Sequence, residues 1–254
     1  MEIEFNDKVV LVSGGSRGIG RAICEKFSGS GASVILNYRE DRNAAQETLD
    51  LLDGGDHSAV KCDLSDRDQV KRMVEKVIKE YGKIDILINN AGIYEEIDVT
   101  DADSDEWFEH WERTIGINLM GAVNLTYYVT RYMIKRESGK VITITSRGAF
   151  RGEPSAPAYG ASKAGLNSFS QSMAKALAPY GISFYAVAPG YVETDMTTDI
   201  LNTERGEIIK AQSPLNRVAK TEEVANTVFL LASDGTEFMT GCIVDINGAS
   251  YLRN

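Results

Sequence analysis

"KVVLVSGGSRGIGRAI", residues 8–23, decides the fold. It begins as a short valine-rich run, the composition of a strand buried on both faces. It ends as the first turns of a helix. Between the two, Gly14, Gly18 and Gly20 stand in the spacing GxxxGxG. A residue without a Cβ lets the chain turn sharply and lets backbone N–H groups approach an anion. The helix that follows offers its own free N–H groups and the positive end of its dipole to the same place. Strand, glycine turn and helix in this order form a grip for the phosphates of a dinucleotide, with Gly14, Ser16, Arg17, Gly18, Ile19 and Gly20 as the gripping loop. The spacing departs from the better-known GxGxxG. The position after the first strand carries the reading.

The same alternation continues outward. After "KVVLV" (8–12), the runs "SVILN" (33–37), "SAVKC" (58–62), "IDILIN" (84–89), "KVITIT" (140–145), "ISFYAV" (182–187) and "CIVDI" (242–246) read as strands. Helical patterns lie between them. The clearest places Val70, Met73, Val74, Val77, Ile78 and Tyr81 on one stripe, opposite charged residues. Alternating β and α elements predict an α/β fold: a Rossmann-like, doubly wound parallel sheet of about seven strands, with helices on both faces. Residues 1–254 are expected to form a single domain. Right-handed crossovers bring the carboxyl ends of the strands to one edge, where ligands bind. The longest irregular stretch, 188–220, is expected to hold a short helix or two and to overhang that edge as a lid at about 191–215.

Composition removes several classes of function. The net charge is −10, which disfavours nucleic acid and anionic membranes as partners. No run approaches the roughly 18 apolar residues that a membrane span needs. The opening "MEIEFNDKVV" is acidic and lacks the apolar core of a secretory leader. Cys24, Cys62 and Cys242 are isolated, without CxxC spacing, and read as buried thiols of a cytoplasmic protein. His57 and His110 are far apart and read as ordinary surface or loop residues, so no metal site is expected.

The end of the second strand bears on which dinucleotide is held. NAD-selective sheets place an acid there for the ribose 2′-hydroxyl. This chain has Tyr38 followed by Arg39, and Arg17 in the glycine loop reaches the same region. Two guanidinium groups suit a 2′-phosphate, although Glu40 argues weakly the other way. The expected cofactor is NADP(H), preferred over NAD(H).

The chemistry-bearing residues lie further on. Tyr159 and Lys163 are spaced i, i+4, so they share one helix face. A phenol titrates near 10, and a neighbouring cation lowers that value. A phenol so tuned can give a proton to a developing alkoxide, or take one from an alcohol. Lys163 can also hold the nicotinamide ribose. Ser146 directly follows the fifth strand, placed to bind the substrate oxygen. Asn118 interrupts a helical region where Asn is mildly unfavourable, which gives it a local task such as holding a water. Singly, each has an ordinary structural reading. In this order, after a dinucleotide loop, they point to carbonyl–alcohol redox chemistry.

These motifs together resemble the short-chain dehydrogenase/reductase family. The resemblance is carried by "GGSRGIG" (14–20), "CDLSD" (62–66), "NNAG" (89–92), "GINL" (116–119), "ITS" (144–146), "YGASK" (159–163) and "APG" (188–190), and spans nearly the whole chain. It implies a catalytic tetrad of Asn118, Ser146, Tyr159 and Lys163. It implies an adenine contact at Asp63 with Leu64 beside it, and a cofactor lining of Asn90, Ala91 and Gly92. Pro189, Gly190, Val192 and Thr194 would stand at the nicotinamide end. A homotetramer is implied as well.

Within the family the ending "TGCIVDINGASYLRN" (240–254) is most similar to the 3-oxoacyl-[acyl-carrier-protein] reductases. That implies reversible reduction of a 3-oxoacyl thioester or similar ketone, with an acyl carrier protein as partner. Three departures weaken the substrate assignment: Ala249 where Gly is common, Tyr185 where Asn is common, and Tyr180 where an Arg suited to an acidic carrier is common. Arg147 and Arg151 are alternative docking cations. A sugar or polyol dehydrogenase, acting for example on glucose, is the neighbouring reading. A nucleotide-binding regulator without catalysis is the other, and the intact tetrad argues against it.

Overall fold

The computed structural model describes residues 3–195 and 197–253; Met196, inside the stretch read as a lid, lies outside the described residues. The elements run β1 Val9–Val12, α1 Gly18–Ser28, β2 Ser33–Tyr38, α2 Arg42–Asp50, β3 Ser58–Lys61, α3 Arg67–Tyr81, β4 Ile86–Asn89, α4 Ser104–Ile115, α5 Gly121–Arg136, β5 Gly139–Ile144, α6 Gly148–Arg151, α7 Pro157–Leu177, β6 Ile182–Pro189, α8 Thr198–Leu201, α9 Glu204–Ala211, α10 Thr221–Ala232 and β7 Ile243–Ile246. All seven expected strands form. The stretch read as a lid carries two short helices, α8 and α9.

Continuous apolar runs become strands here because successive side chains are buried on opposite faces. Val10, Val12, Val34, Leu36, Ile86 and Ile88 join one core with Ile23 and Phe27 of α1 and Val224 and Val228 of α10. Their neighbours Val9, Leu11, Ile35 and Leu87 join a second core with α3 and α5. The predicted α3 stripe buries Val70, Met73, Val74 and Val77, with Ile78 and Tyr81 packed at its rim. Each fully buried side chain of this kind contributes about 1.5–3 kcal/mol. Asp66 caps α3 through the N–H groups of Asp68 and Gln69, and Gly82 closes it at φ 75°.

The strands are all parallel, in the order β3-β2-β1-β4-β5-β6-β7. Chain order reverses between β1 and β4, and ligands of such sheets bind outside the carboxyl ends beside that point. The glycine loop leaves β1 there, Asn90 follows β4, Ser146 follows β5, and Gly190 follows β6.

Several readings change. Tyr185 is fully buried in the sheet core and its hydroxyl donates to the Thr236 carbonyl at 3.1 Å, so that departure concerns packing and not substrate. His57 is no idle loop residue: its Nδ1 accepts the Val34 N–H at 3.1 Å and extends the hydrogen bonding of β2. His110 lies within α4, with its Nε2 buried. Cys24 and Cys62 are buried as expected, which pushes both thiols up, Cys62 to about 12. Cys242 is only half-buried.

Ala249 stands at φ 58°, a left-handed conformation that costs a side chain with a Cβ about 1 kcal/mol. Ala249→Gly removes that strain, offset in part by greater freedom of the unfolded chain. Thermal unfolding of the variant is expected to rise by about 1–3 °C. A fall would show that the methyl group packs usefully.

Candidate active site

The glycine loop is shaped by close approach. Gly14 has φ 62°, and a Cβ there would stand 3.0 Å from Ala91 Cα. A Cβ on Gly20 would overlap the Gly14 carbonyl oxygen. Gly18, at φ 54°, faces the Thr194 methyl at 3.4 Å from an added Cβ, which brings the β6 loop over the glycine loop. The N-cap of α1, Arg17, makes no side-chain cap bond, and the first turn holds no acid. The helix therefore presents uncapped N–H groups and an uncompensated dipole to a phosphate. This cradle fits a dinucleotide.

Two residues not singled out by sequence hold it in place. Ser13 Oγ accepts from the N–H groups of Asn90 (3.0 Å) and Ala91 (3.1 Å) and donates to the Ile88 carbonyl. Asn37 is buried at the end of β2, and its Nδ2 donates to the Cys62 carbonyl at 3.0 Å. A polar residue closing an apolar strand was the available signal. Asn90 Nδ2 reaches back to the carbonyls of Ser13 and Gly14, both at 3.0 Å. The loops after β1 and β4 are thus stitched together, and the loop after β3 is tied to the end of β2.

At the carboxyl end of β2, Tyr38 is half-buried, while Arg17 and Arg39 are exposed. Arg39 meets Glu40 at 3.2 Å in an exposed pair, a contact worth little in water. Asp63 Oδ1 accepts from the Ser65 N–H and hydroxyl at 2.9 and 2.7 Å. Leu64 is buried against Gly121, so its side chain packs the loop onto α5.

At the other end Asn118, Ser146, Tyr159 and Lys163 lie near one another. Between α4 and α5, Gly116–Met120 forms a π-helical turn. It turns Asn118 inward, where Oδ1 accepts the Ile93 N–H at 2.8 Å and Nδ2 donates to the Ile93 carbonyl (2.9 Å) and Ser162 Oγ (3.2 Å). Both amide protons are spent, so a water is left only the remaining Oδ1 lone pair. Lys163, 4% exposed, donates from Nζ to the Ile144 carbonyl at 2.9 Å. Its ammonium stands 5.7 Å from the centroid of the Tyr159 ring. A Cβ on Gly92 would lie 3.2 Å from Asn118 Oδ1 and 3.4 Å from Lys163 Nζ, so this glycine is the wall between them. Ser146 Oγ accepts the Gly148 N–H at 3.0 Å.

The electrostatics differ from the simple expectation. Burial pushes the Tyr159 phenol up to about 12, the Ser146 hydroxyl pulls it down, and Glu153 and Tyr191 push it up further. Burial instead lowers Lys163 to about 8. For both groups the loss of water outweighs the hydrogen bonds they make, Lys163 to the Ile144 carbonyl and Tyr159 with Ser146.

Sequence reading missed the rest of the pocket. Tyr94 stacks edge-on against Tyr159, with centroids 5.0 Å apart. Glu96 gathers the Tyr94 hydroxyl (3.2 Å), the Ser155 hydroxyl (3.2 Å) and the Arg205 guanidinium (2.7 Å). Arg205 lies on α9, so this carboxylate fastens the overhanging segment to the loop after β4. The Val192–Ala219 bridge anchors the segment at its base. Pro189 accepts the Arg147 N–H at 2.9 Å, and the Gly190 N–H reaches the Ile246 carbonyl at 2.8 Å.

The two docking arginines do not stand free. Arg147 is 3% exposed, buried behind the site. Arg151 pairs with Glu153 at 3.3 Å. Cations are seldom fully buried, which is why sequence put Arg147 on the surface.

A family model described as "Enoyl-(Acyl carrier protein) reductase" matches residues 14–249. The 3-oxoacyl-[acyl-carrier-protein] reductase FabG of Escherichia coli (strain K12) is 38% identical over 250 residues, covering 98% of this chain and 100% of the relative. The protein of the same name from Thermotoga maritima is 37% identical, covering 98% and 100%. Among solved structures, the crystal structure of gox2181 is similar with a TM-score of 0.92 and 31% identity, covering 98% of this chain and 97% of that one.

Proposed function

The chain belongs to the short-chain dehydrogenase/reductase family and is an oxidoreductase of carbonyl and alcohol groups, and on that footing we propose that it reduces a 3-oxoacyl thioester or similar ketone with NADP(H). The observation that carries this reading is the convergence of Ser146, Tyr159 and Lys163 at the carboxyl edge of the sheet, beside the glycine cradle. A bound nicotinamide supplies hydride to the carbonyl carbon. Ser146 holds the carbonyl oxygen, and Tyr159 delivers its proton to that oxygen as charge develops there. Lys163 supplies positive charge beneath the phenol. Asn118 fixes Ile93, and through it the Gly92 wall.

The family description names an enoyl reduction, which would deliver the proton to carbon. A hydroxyl and a phenol aimed at one oxygen favour the carbonyl. Oxidation of NADPH with acetoacetyl and crotonyl thioesters separates the two. Turnover of the crotonyl compound alone would overturn the proposal. The thioester is proposed to arrive on an acyl carrier protein, for which exposed Arg151 is the docking cation that remains once Arg147 is found buried. A sugar or polyol dehydrogenase of the same family is the second reading. Glucose and xylitol with NADP+ test it.

The preference for the 2′-phosphate rests on Arg17 and Arg39, both exposed beside Tyr38. A charged hydrogen bond contributes about 1.5–3 kcal/mol. Arg39→Ala is therefore expected to raise the KM for NADPH about tenfold or more, with that for NADH nearly unchanged. Equal effects on both cofactors would remove the argument.

A homotetramer is supported by two separate apolar faces. Phe108 on α4, Met120 in the π-helical turn and Tyr127 on α5 are exposed. Leu230, Phe238 and Met239 are exposed near the β7 edge. Two self-complementary patches generate a closed tetramer. Light scattering is expected to give four times 27.8 kDa, and Phe238→Asp to give half that. Monomers at micromolar concentration would contradict it. Among the described residues no helix is long and apolar enough to cross a membrane, and the cytoplasm remains the proposed location.

A further inference from the structure

Arg147 differs from the other arginines that bind side chains in this fold. Arg136, Arg205, Arg217 and Arg253 each meet a carboxylate and are partly exposed. Arg147 is 3% exposed and meets none. Its guanidinium donates to Ser250 Oγ and, at 2.5 Å, to Gln212 Oε1. It also lies over the Tyr191 ring at 5.2 Å. These partners are neutral. A guanidinium has five N–H donors, so three have no partner among the described residues. A buried cation without a counter-charge is costly and is ordinarily matched by an anion.

The guanidinium lines a cavity of about 180 Å³. Arg217 and Glu223 also line it, but they neutralise each other through two contacts of 2.7 Å. Glu153, which Arg147 senses electrostatically, is held by Arg151. The cavity thus keeps one uncompensated positive charge. Its other walls include Ile209, Leu215, Val218 and Ile246.

We propose that this cavity is a binding site for a small monoanionic carboxylate with a short apolar tail, held by the fork of Arg147. One charge matches one carboxylate, and the planar fork presents paired donors to its two oxygens. A phosphate dianion would need a second cation, and Arg217 is taken. Cavities of about 150 Å³ take up a molecule the size of benzene, so this one has room for a few carbon atoms. The ligand would sit behind Tyr191 and beside Gln212 at the end of α9, outside the tetrad. The anion is either a free effector or the carboxylate end of a substrate that extends past Tyr191.

Butyrate, and its uncharged isostere butyramide, are titrated into the whole protein at constant ionic strength, read by thermal unfolding and calorimetry. Butyrate is expected to raise the unfolding temperature saturably by several degrees, and butyramide and chloride to leave it unchanged. Arg147→Gln is expected to abolish the rise. Equal effects of butyrate and butyramide on the native protein, or no effect of either, would overturn the proposal, and this comparison stands even if the variant fails to fold. A rise that persists in a folded Arg147→Gln protein would overturn it too. Competition between butyrate and the ketone marks the anion as part of a substrate, and non-competitive behaviour marks an effector. Because binding is read without turnover, its result is independent of the carbonyl assignment.

Discussion

Tyr159→Phe is expected to lower kcat by a factor of about 10²–10⁴, the range of a positioned proton donor, while leaving cofactor affinity within about twofold. The ring is kept, so the edge-on packing with Tyr94 at 5.0 Å survives, and only the proton is lost. Single-turnover rates with a good ketone substrate, beside cofactor titration of the same preparation, make the measurement. Near-normal turnover would remove the phenol from the mechanism.

Lys163→Met should produce an inactive protein that is more stable than the parent. The lysine is buried, and its pKa is lowered from 10.5 to about 8. Below about pH 8 both folded and unfolded chains carry the charge, and the folded chain bears the whole cost of burying it. Between about 8 and 10.5 the folded amine is neutral while the unfolded one is still charged, so the penalty fades as pH rises and is gone above that window. The displacement corresponds to about 3 kcal/mol, from which about 1 kcal/mol is lost with the bond to the Ile144 carbonyl. A gain of about 4 °C in Tm at pH 7 follows, vanishing near pH 10. In the parent, reduction should weaken above pH 8 as Lys163 gives up its proton. A lower Tm for the variant at pH 7 would mean that the charge is compensated in the fold.

The sheet and the ends of the site were legible because their signals are local. A strand buried on both faces shows as a solid apolar run, and the glycine loop shows as missing side chains at a fixed place. Tyr159 and Lys163 share a helix turn. What sequence missed is built by distant segments. Tyr94, Glu96, Ser155 and Arg205 meet only because the loops after β4, β5 and β6 end at one edge. Glu153 is sixth from Tyr159 in sequence, yet its effect on the phenol arises from the turn after α6. Arg147 was misplaced since exposure is the rule for arginine, and nothing adjacent in sequence announces the neutral partners that surround it. The tuning of Tyr159 was misread for a related reason: spacing gives proximity to a cation, and burial decides the sign.

The π-helical turn at Gly116–Met120 amounts to one surplus residue in a helix that would otherwise run straight from α4 into α5. A residue advances an α-helix by about 100°, so this surplus swings everything beyond it to a new azimuth. Asn118 faces Ile93 and Gly121 faces Leu64 only with that count. Insertions in loops are tolerated and forgotten; here a single-residue indel would re-aim an entire wall of the site, which makes chain length between Thr114 and Gly121 as stringent a constraint as any side chain in it.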